Sequence, residues 1–241
     1  MKIIKAGYKI LSEISEGGIR ELQMIENVGR VCYKSEDRIT PDGESAKKFV
    51  ADLIKRGHEA MLEHSSLSVL FTVDRGVSHE QVRHRIASFA QESTRYCNYS
   101  KGKFGSEINV IDLEPGIRND PGMQNLLEVD IAAIMTEWLS AMEDAERHYL
   151  KMLELGATPQ IARSVLPQST KTEITITANY REWRHFFKLR AVGTTGRPHP
   201  QMEEVAEPLL YEVSTLCLTV LKLVILLPYC SLNLIFLYLR G

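Results

Sequence analysis

The stretch Arg83–Tyr96, RHRIASFAQESTRY, decides how the rest of the chain is read. It sets Arg83, His84 and Arg85 a short way ahead of a hydroxyl-bearing run, Ser93-Thr94-Arg95-Tyr96. Cations packed this closely repel one another unless anions sit among them. Phosphate suits arginine well, because the planar fork of guanidinium donors matches its oxygens. Upstream, Ser78 with Gln81 three residues on makes a capping-box signature, so a helix is expected to begin there. Val82, Ile86 and Phe89 then fall on one apolar stripe. Successive helical residues turn by roughly 100°. Arg83 and Arg85 are therefore expected to point to nearly opposite sides and to serve two ligands. A basic, solvated surface helix is the rival reading of Arg83–Arg85 taken alone. Gln91, Ser93, Thr94 and Arg95 tilt the balance toward a ligand site, since they add amide, hydroxyl and guanidinium contacts at once. Ser93 as a nucleophile would need a base and an oxyanion site, and no GxSxG elbow is present. Its hydroxyl is read as a donor to an anion.

The chain has 241 residues, 44% hydrophobic and 25% charged, with a formal net charge of -2. That is the composition of an ordinary soluble globular protein, long enough for one large domain. A near-neutral balance argues against a broad polyanion-binding face, and so against a nucleic-acid partner. Cys32, Cys97, Cys217 and Cys230 are dispersed, without a CxxC pair. They read as reduced thiols in a cytoplasmic protein. The opening MKIIKAGYKILSEIS lacks the long apolar core of a signal peptide. From Leu223 to Leu239 the chain is uncharged, LVILLPYCSLNLIFLYL, and unlike anything before it. Three readings stand for this tail, in this order: a non-native ending, a helix buried between subunits, and a membrane span, which Pro228 and Asn233 interrupt.

Apolar spacing predicts helices over 19–31, 45–55, 123–155 (as one or two), 180–191 and 202–216. Strands are expected over 66–73, 108–113 and 171–178, and a loop over 115–122. Helices and strands interleave without regular βαβ units. The expectation is an α+β domain over residues 1–216, followed by an atypical hydrophobic tail at 217–241.

Two further segments carry polar chemistry. His58, Glu63 and His64 lie in GHEAMLEH, which lacks the HExxH spacing of a zinc helix, so no metal is expected. Polar packing or ligand contact is the reading there. Asn179 is a good helix N-cap with Glu182 three residues on, and Arg181, His185 and Leu189 share a stripe beside Arg190. A helix start bearing arginines suits an anion. The rival is a solvated helix with Arg190 paired to a carboxylate. Arg163, in ARSVLP, is another phosphate candidate. No GxGxxG follows a strand, and Gly193-Thr194-Thr195-Gly196 lacks a Walker lysine.

Together these residues resemble the flavin-dependent thymidylate synthases. The resemblance rests on four elements in order over roughly residues 1–215: RHR, seven residues, then serine (Arg83-His84-Arg85 to Ser93); GHxxxxEH at His58–His64; ARxVLP at Arg163; and NxR with its helix at Asn179–Arg190. It implies a twisted, mostly antiparallel sheet with flanking helices. It also implies reductive methylation of dUMP to dTMP, with methylene-tetrahydrofolate, NADPH and bound FAD, in a homotetramer with shared active sites. FAD contacts are implied for His58, Glu63, Arg83, His84, Arg85, Gln91, Asn179, Arg181 and His185. Nucleotide contacts are implied for Glu80, Gln81, Val82 and Arg83, for Gln91, Glu92, Ser93, Thr94 and Arg95, and for Arg163 and Arg190. Arg190 is the catalytic choice, placed to stabilise charge on the pyrimidine while its C5 becomes nucleophilic. The alternative is a nucleotide- and flavin-binding protein of the same fold with impaired catalysis. Ala60 stands where the family often has serine or threonine, which removes one flavin contact, and the tail after Leu216 departs from the family's usual ending.

Overall fold

A computed structural model of the chain describes residues 1–102 and 105–216. The expected tail at 217–241 lies outside the described residues. The elements run β1 (Lys2–Ile4), β2 (Gly7–Ile10), α1 (Ile19–Val31), α2 (Glu44–Lys55), β3 (Ser66–Asp74), α3 (Arg75–Gln81) and β4 (Ala87–Gln91). They continue with β5 (Asn109–Ile111), α4 (Glu114–Asn119), α5 (Glu128–Glu154), α6 (Pro159–Ala162), β6 (Lys171–Asn179), α7 (Tyr180–Arg190) and α8 (Pro200–Leu216). The class is α+β, as expected.

β3 and β6 form the middle of a four-stranded sheet of order β2-β3-β6-β4. Both alternate, β3 as far as Val73. Leu67, Val69, Phe71 and Val73 are buried on β3, and Thr172, Ile174, Ile176 and Ala178 on β6. That period of two is the mark of a strand with one buried face. The Ser68 and Thr177 hydroxyls bond at 2.8 Å, and the N–H of Arg75 donates to Thr170 at 3.2 Å. Partner numbers fall on one strand as they rise on the other, so the pair is antiparallel. A separate two-stranded sheet pairs β1 with β5 in parallel, Ile3 opposite Val110.

The chain divides into two compact units that share strands in sequence. The first comprises Met1–Lys9, Leu70–Arg85 and Phe89–Ile176. Its core gathers Tyr99, Ile108, Val110, Met142, Tyr149 and Ala162, with Trp138, Leu153 and Leu166 packed against them. The Trp138 indole donates to the Ser169 hydroxyl at 3.0 Å, which satisfies its polar edge. The second unit comprises, among the described residues, Ile10–Val69, Ile86–Ser88 and 177–216. There α1 packs on α2 through Leu22, Ile25, Ala46, Val50 and Leu53. Glu26, fully buried, is held by Arg30 at 2.7 Å and the Ser45 hydroxyl at 2.7 Å. Trp183, Phe186 and Phe187 form an aromatic cluster on α7, and the Trp183 indole donates to the Leu67 carbonyl at 2.9 Å. Burying side chains of this kind contributes about 1.5–3 kcal/mol each.

Three expectations need correction. The helix bearing Arg83–Arg85 does not form. Instead α3 begins earlier, because the Asp74 carboxylate caps it by accepting the Val77 N–H at 2.6 Å, and it ends at Gln81. The chain then closes through turns, Arg83 N–H to the Glu80 carbonyl at 3.3 Å and His84 N–H to the Gln81 carbonyl at 3.1 Å. Ala87–Gln91 becomes β4 because its backbone pairs with β6, a tertiary gain that outweighs the local helical spacing. Val82 and Ile86 are exposed rather than part of an apolar stripe. The expected loop at 115–122 contains α4, with Pro115 in its first turn, where a missing N–H costs nothing. β1, β2 and β4 were not expected as strands.

Candidate active site

In the first unit a cavity of about 250 Å³ is lined by Arg75, His79, Thr94, Arg163, Ser164, Leu166, Pro167 and Gln168. Its wall carries two guanidinium groups, an imidazole and two hydroxyls, and no carboxylate side chain. Arg163 Nη1 donates to the Thr94 hydroxyl at 3.3 Å, joining two of the residues expected from the sequence. Arg75 starts α3, and its Nη1 is buried without a hydrogen-bond partner among the described residues. The two arginine side chains and the hydroxyls give this wall the donor chemistry that suits an oxyanion.

The Gln91–Arg95 run reaches this cavity through Thr94. Gln91 spends its amide donors on the Ser78 hydroxyl at 2.9 Å and the Thr172 hydroxyl at 3.2 Å. Glu92 accepts from the Tyr99 hydroxyl at 2.9 Å and from Lys171 at 2.9 Å. Ser93 shapes the turn: its hydroxyl accepts the Arg95 N–H at 3.3 Å and its carbonyl accepts the Cys97 N–H at 2.9 Å. Arg95 is exposed and lies over the Tyr96 ring at 5.4 Å. Upstream, Arg83 and Arg85 are exposed and His84 is buried. Glu80 is half-buried and Val82 exposed. Gln81 is fully buried, and its amide oxygen and nitrogen find no partner among the described residues.

The second unit carries the other expected residues. Glu59–His64 forms a 3-10 segment, and Glu63 makes an ion pair with Arg181 of α7. A second bridge ties Glu59 to Arg184 at 3.0 Å. Asn179 caps α7, its side-chain carbonyl accepting the Glu182 N–H at 2.9 Å, as the sequence predicted. Arg181 and His185 are exposed one turn apart, while Leu189 and Arg190 are half-buried. His58 and Ala60 border a cavity of about 280 Å³ whose other walls include Cys32, Tyr33, Leu53 and Met61.

Residues 19–217 match the model of the family described as thymidylate synthase complementing protein. The flavin-dependent thymidylate synthase of Mycobacterium avium (strain 104) is 32% identical over 173 residues, which is 70% of this chain. The chain belongs to the flavin-dependent thymidylate synthases, an enzyme family. The match takes in 66% of the Mycobacterium avium protein's own length. The Corynebacterium aurimucosum flavin-dependent thymidylate synthase is 33% identical over 207 residues, 84% of this chain and 80% of that protein. The UMP/dUMP methylase PolB of Streptomyces cacaoi, solved with 5-Br dUMP bound, shares the fold at a TM-score of 0.74. That likeness covers 92% of this chain and 96% of PolB at 23% identity.

Arg75 and His79 line the cationic cavity of this thymidylate synthase family member without having been singled out in the sequence. Their spacing of four on α3 puts them on one helical face. The signal was legible, but Asp74 had to be recognised as the cap before that face was defined. Ser164 and Gln168 were missed because they sit in a three-residue 3-10 turn and the turn that follows it, too short for periodicity to carry information. Among the described residues no helix is long and apolar enough to cross a membrane.

Proposed function

We propose that this chain methylates dUMP to dTMP, taking the carbon from methylene-tetrahydrofolate and reducing equivalents from NADPH, with FAD as its bound cofactor. The observation that carries the reading is the cavity lined by Arg75, His79, Thr94 and Arg163. A nucleoside monophosphate brings a dianion with three terminal oxygens, and this wall offers two arginine forks and hydroxyl donors to receive it. PolB, which shares the fold, is a UMP/dUMP methylase by name, and that supports a uridine nucleotide here.

In this reading Arg75 and Arg163 take the phosphate. The Gln91–Arg95 run fixes the nucleotide's position, with Thr94 at the cavity wall and Ser93 shaping the turn. The Glu80–Arg83 segment contributes from the end of α3. Arg190 stabilises negative charge on the N3–C2 edge of the pyrimidine as C5 becomes nucleophilic, an effect strongest where water is excluded.

The residues of the second unit fit a flavin dinucleotide in their donor chemistry. Arg181 and His185 put a cation and an imidazole on one exposed face of α7, suited to a pyrophosphate. Asn179 holds the start of that helix, and Glu63 orients Arg181 through their ion pair. His58 stands beside the largely apolar cavity, where a ring system would pack. The family resemblance also implies flavin contacts for Arg83, His84, Arg85 and Gln91, which belong to the first unit. Bound FAD supplies the hydride relay that the methylation needs.

A homotetramer accords with the apolar side chains around the Arg83–Arg85 turn, since Ile86 and Tyr96 are 67% and 78% exposed in the single chain. Unpaired Cys32 and Cys97 suit a reducing cytoplasm. The test is the purified protein's visible spectrum together with dUMP binding. A flavin spectrum perturbed by dUMP is expected. Colourless protein that cannot be reconstituted with FAD would refute the proposal.

A further inference from the structure

Glu92 presents a chemical conflict that the nucleotide reading alone does not resolve. It directly precedes Ser93 and lies two residues from Thr94, which lines the arginine-bearing cavity. A carboxylate at that place repels an incoming phosphate unless its charge is cancelled. Three interactions hold it. Its N–H donates to the Glu173 carbonyl at 2.8 Å, which continues the β4–β6 pairing by one residue. Its Oε1 accepts from the Tyr99 hydroxyl at 2.9 Å, and its Oε2 accepts from Lys171 Nζ at 2.9 Å. Lys171 also reaches Glu173 Oε1 at 3.0 Å.

The Lys171 and Glu92 side chains are only 15% and 11% exposed, so this is not a solvated surface pair of little consequence. Burial works to lower the Lys171 pKa, but the bonds to Glu92 and Glu173 override it and hold the ammonium above its ordinary value. Tyr99 is 5% exposed, and burial, with Glu92 beside it, keeps its hydroxyl protonated and donating. Both carboxylate oxygens are thereby engaged, and both point into structure rather than being offered to a ligand.

We infer that Lys171 is a positioning residue for nucleotide binding: it neutralises and anchors Glu92, so that the Ser93–Arg95 turn offers hydroxyl and N–H donors to the phosphate in place of a bare carboxylate. The inference rests on the nucleotide reading of the cavity and gives Glu92 a different part in it. Glu92 is a strut whose carboxylate oxygens are held by Tyr99 and Lys171, outside the cavity lining, and Lys171 is its counter-charge, supplied from 79 residues further along the chain. In the nucleotide reading the phosphate sits where Thr94 and Arg163 meet, so the effect is expected on the phosphate.

The experiment compares dUMP with deoxyuridine, which lacks the phosphate, by calorimetry and competition on flavin-loaded protein. The wild type is set against Lys171→Met, Lys171→Arg and Tyr99→Phe. Lys171→Met is expected to weaken dUMP binding on the order of tenfold or more, while deoxyuridine binding stays level. Lys171→Arg should restore most of the loss, and Tyr99→Phe should show a smaller loss with the same selectivity. Equal dUMP affinity in Lys171→Met and wild type overturns the inference. A parallel loss of dUMP and deoxyuridine does so too, since it marks general damage. If Lys171→Met does not fold, Tyr99→Phe decides, and unchanged dUMP selectivity there counts against the idea. A wild type that binds no dUMP at all refutes the nucleotide reading itself, a result distinct from any variant pattern.

Discussion

Arg163 donates to the hydroxyl of Thr94 at 3.3 Å, although 69 residues separate them in the chain. The contact joins the ARSVLP segment to the Ser93–Tyr96 run, two stretches that share chemistry only once folded. Thr94 is buried, and Arg75 lines the same cavity wall. The account makes this group the phosphate grip.

Arg163→Ala should therefore weaken dUMP binding by roughly tenfold to a hundredfold, the range for losing hydrogen bonds to a charged group. Arg163→Lys should recover only part, because an ammonium cannot reproduce the planar fork. Titration calorimetry with dUMP checks both, and thermal melts should show little change.

Arg190→Met is expected to separate binding from chemistry. Flavin content and dUMP binding should fall less than tenfold, while release of the C5 hydrogen drops by about a hundredfold or more, as when a charge-stabilising donor is removed. Single-turnover measurements on flavin-loaded protein distinguish the two effects.

Alkaline pH should expose the Tyr99–Glu92 contact. Burial, then the neighbouring Glu92, raises the Tyr99 pKa above its ordinary 10.0. Above that pH the unfolded chain loses the phenolic proton while the folded chain keeps it. The group's contribution is thus fully present below pH 10 and is lost as pH rises beyond it, by about 1.4 kcal/mol per pH unit. Denaturant titrations from pH 9 to 11 should show a flatter profile for Tyr99→Phe than for wild type.

A backbone test addresses the second unit. Gly43 precedes α2 at φ +78°, and an added Cβ there would lie 2.7 Å from Ile19 Cγ2. Gly43→Ala should cost roughly 1–2 kcal/mol for the left-handed backbone alone, with more from the clash. A lower melting temperature with intact flavin binding in the survivors is the expected result.

The sequence made some of this plain and hid the rest for physical reasons. β3, β6 and α7 were readable because alternation and the Asn179 cap are local signals that the folded chain keeps. The Arg83–Arg85 stretch misled, since its helical spacing is real but β4 gains more by pairing with β6. β1 was invisible because its partner, β5, lies more than a hundred residues away. Arg163 was legible as a cation, and its meeting with Thr94 was not. Lys171 read as one polar position in an alternating strand, and only folding shows which carboxylates it serves.

The most direct test of the central claim is release of tritium from C5-labelled dUMP by flavin-loaded protein, with methylene-tetrahydrofolate and NADPH, under anaerobic conditions. The account predicts release that requires the folate and the reductant and is matched by dTMP formed. Protein that holds flavin and binds dUMP, yet releases no tritium and forms no dTMP, would contradict it and leave a nucleotide-binding protein without turnover.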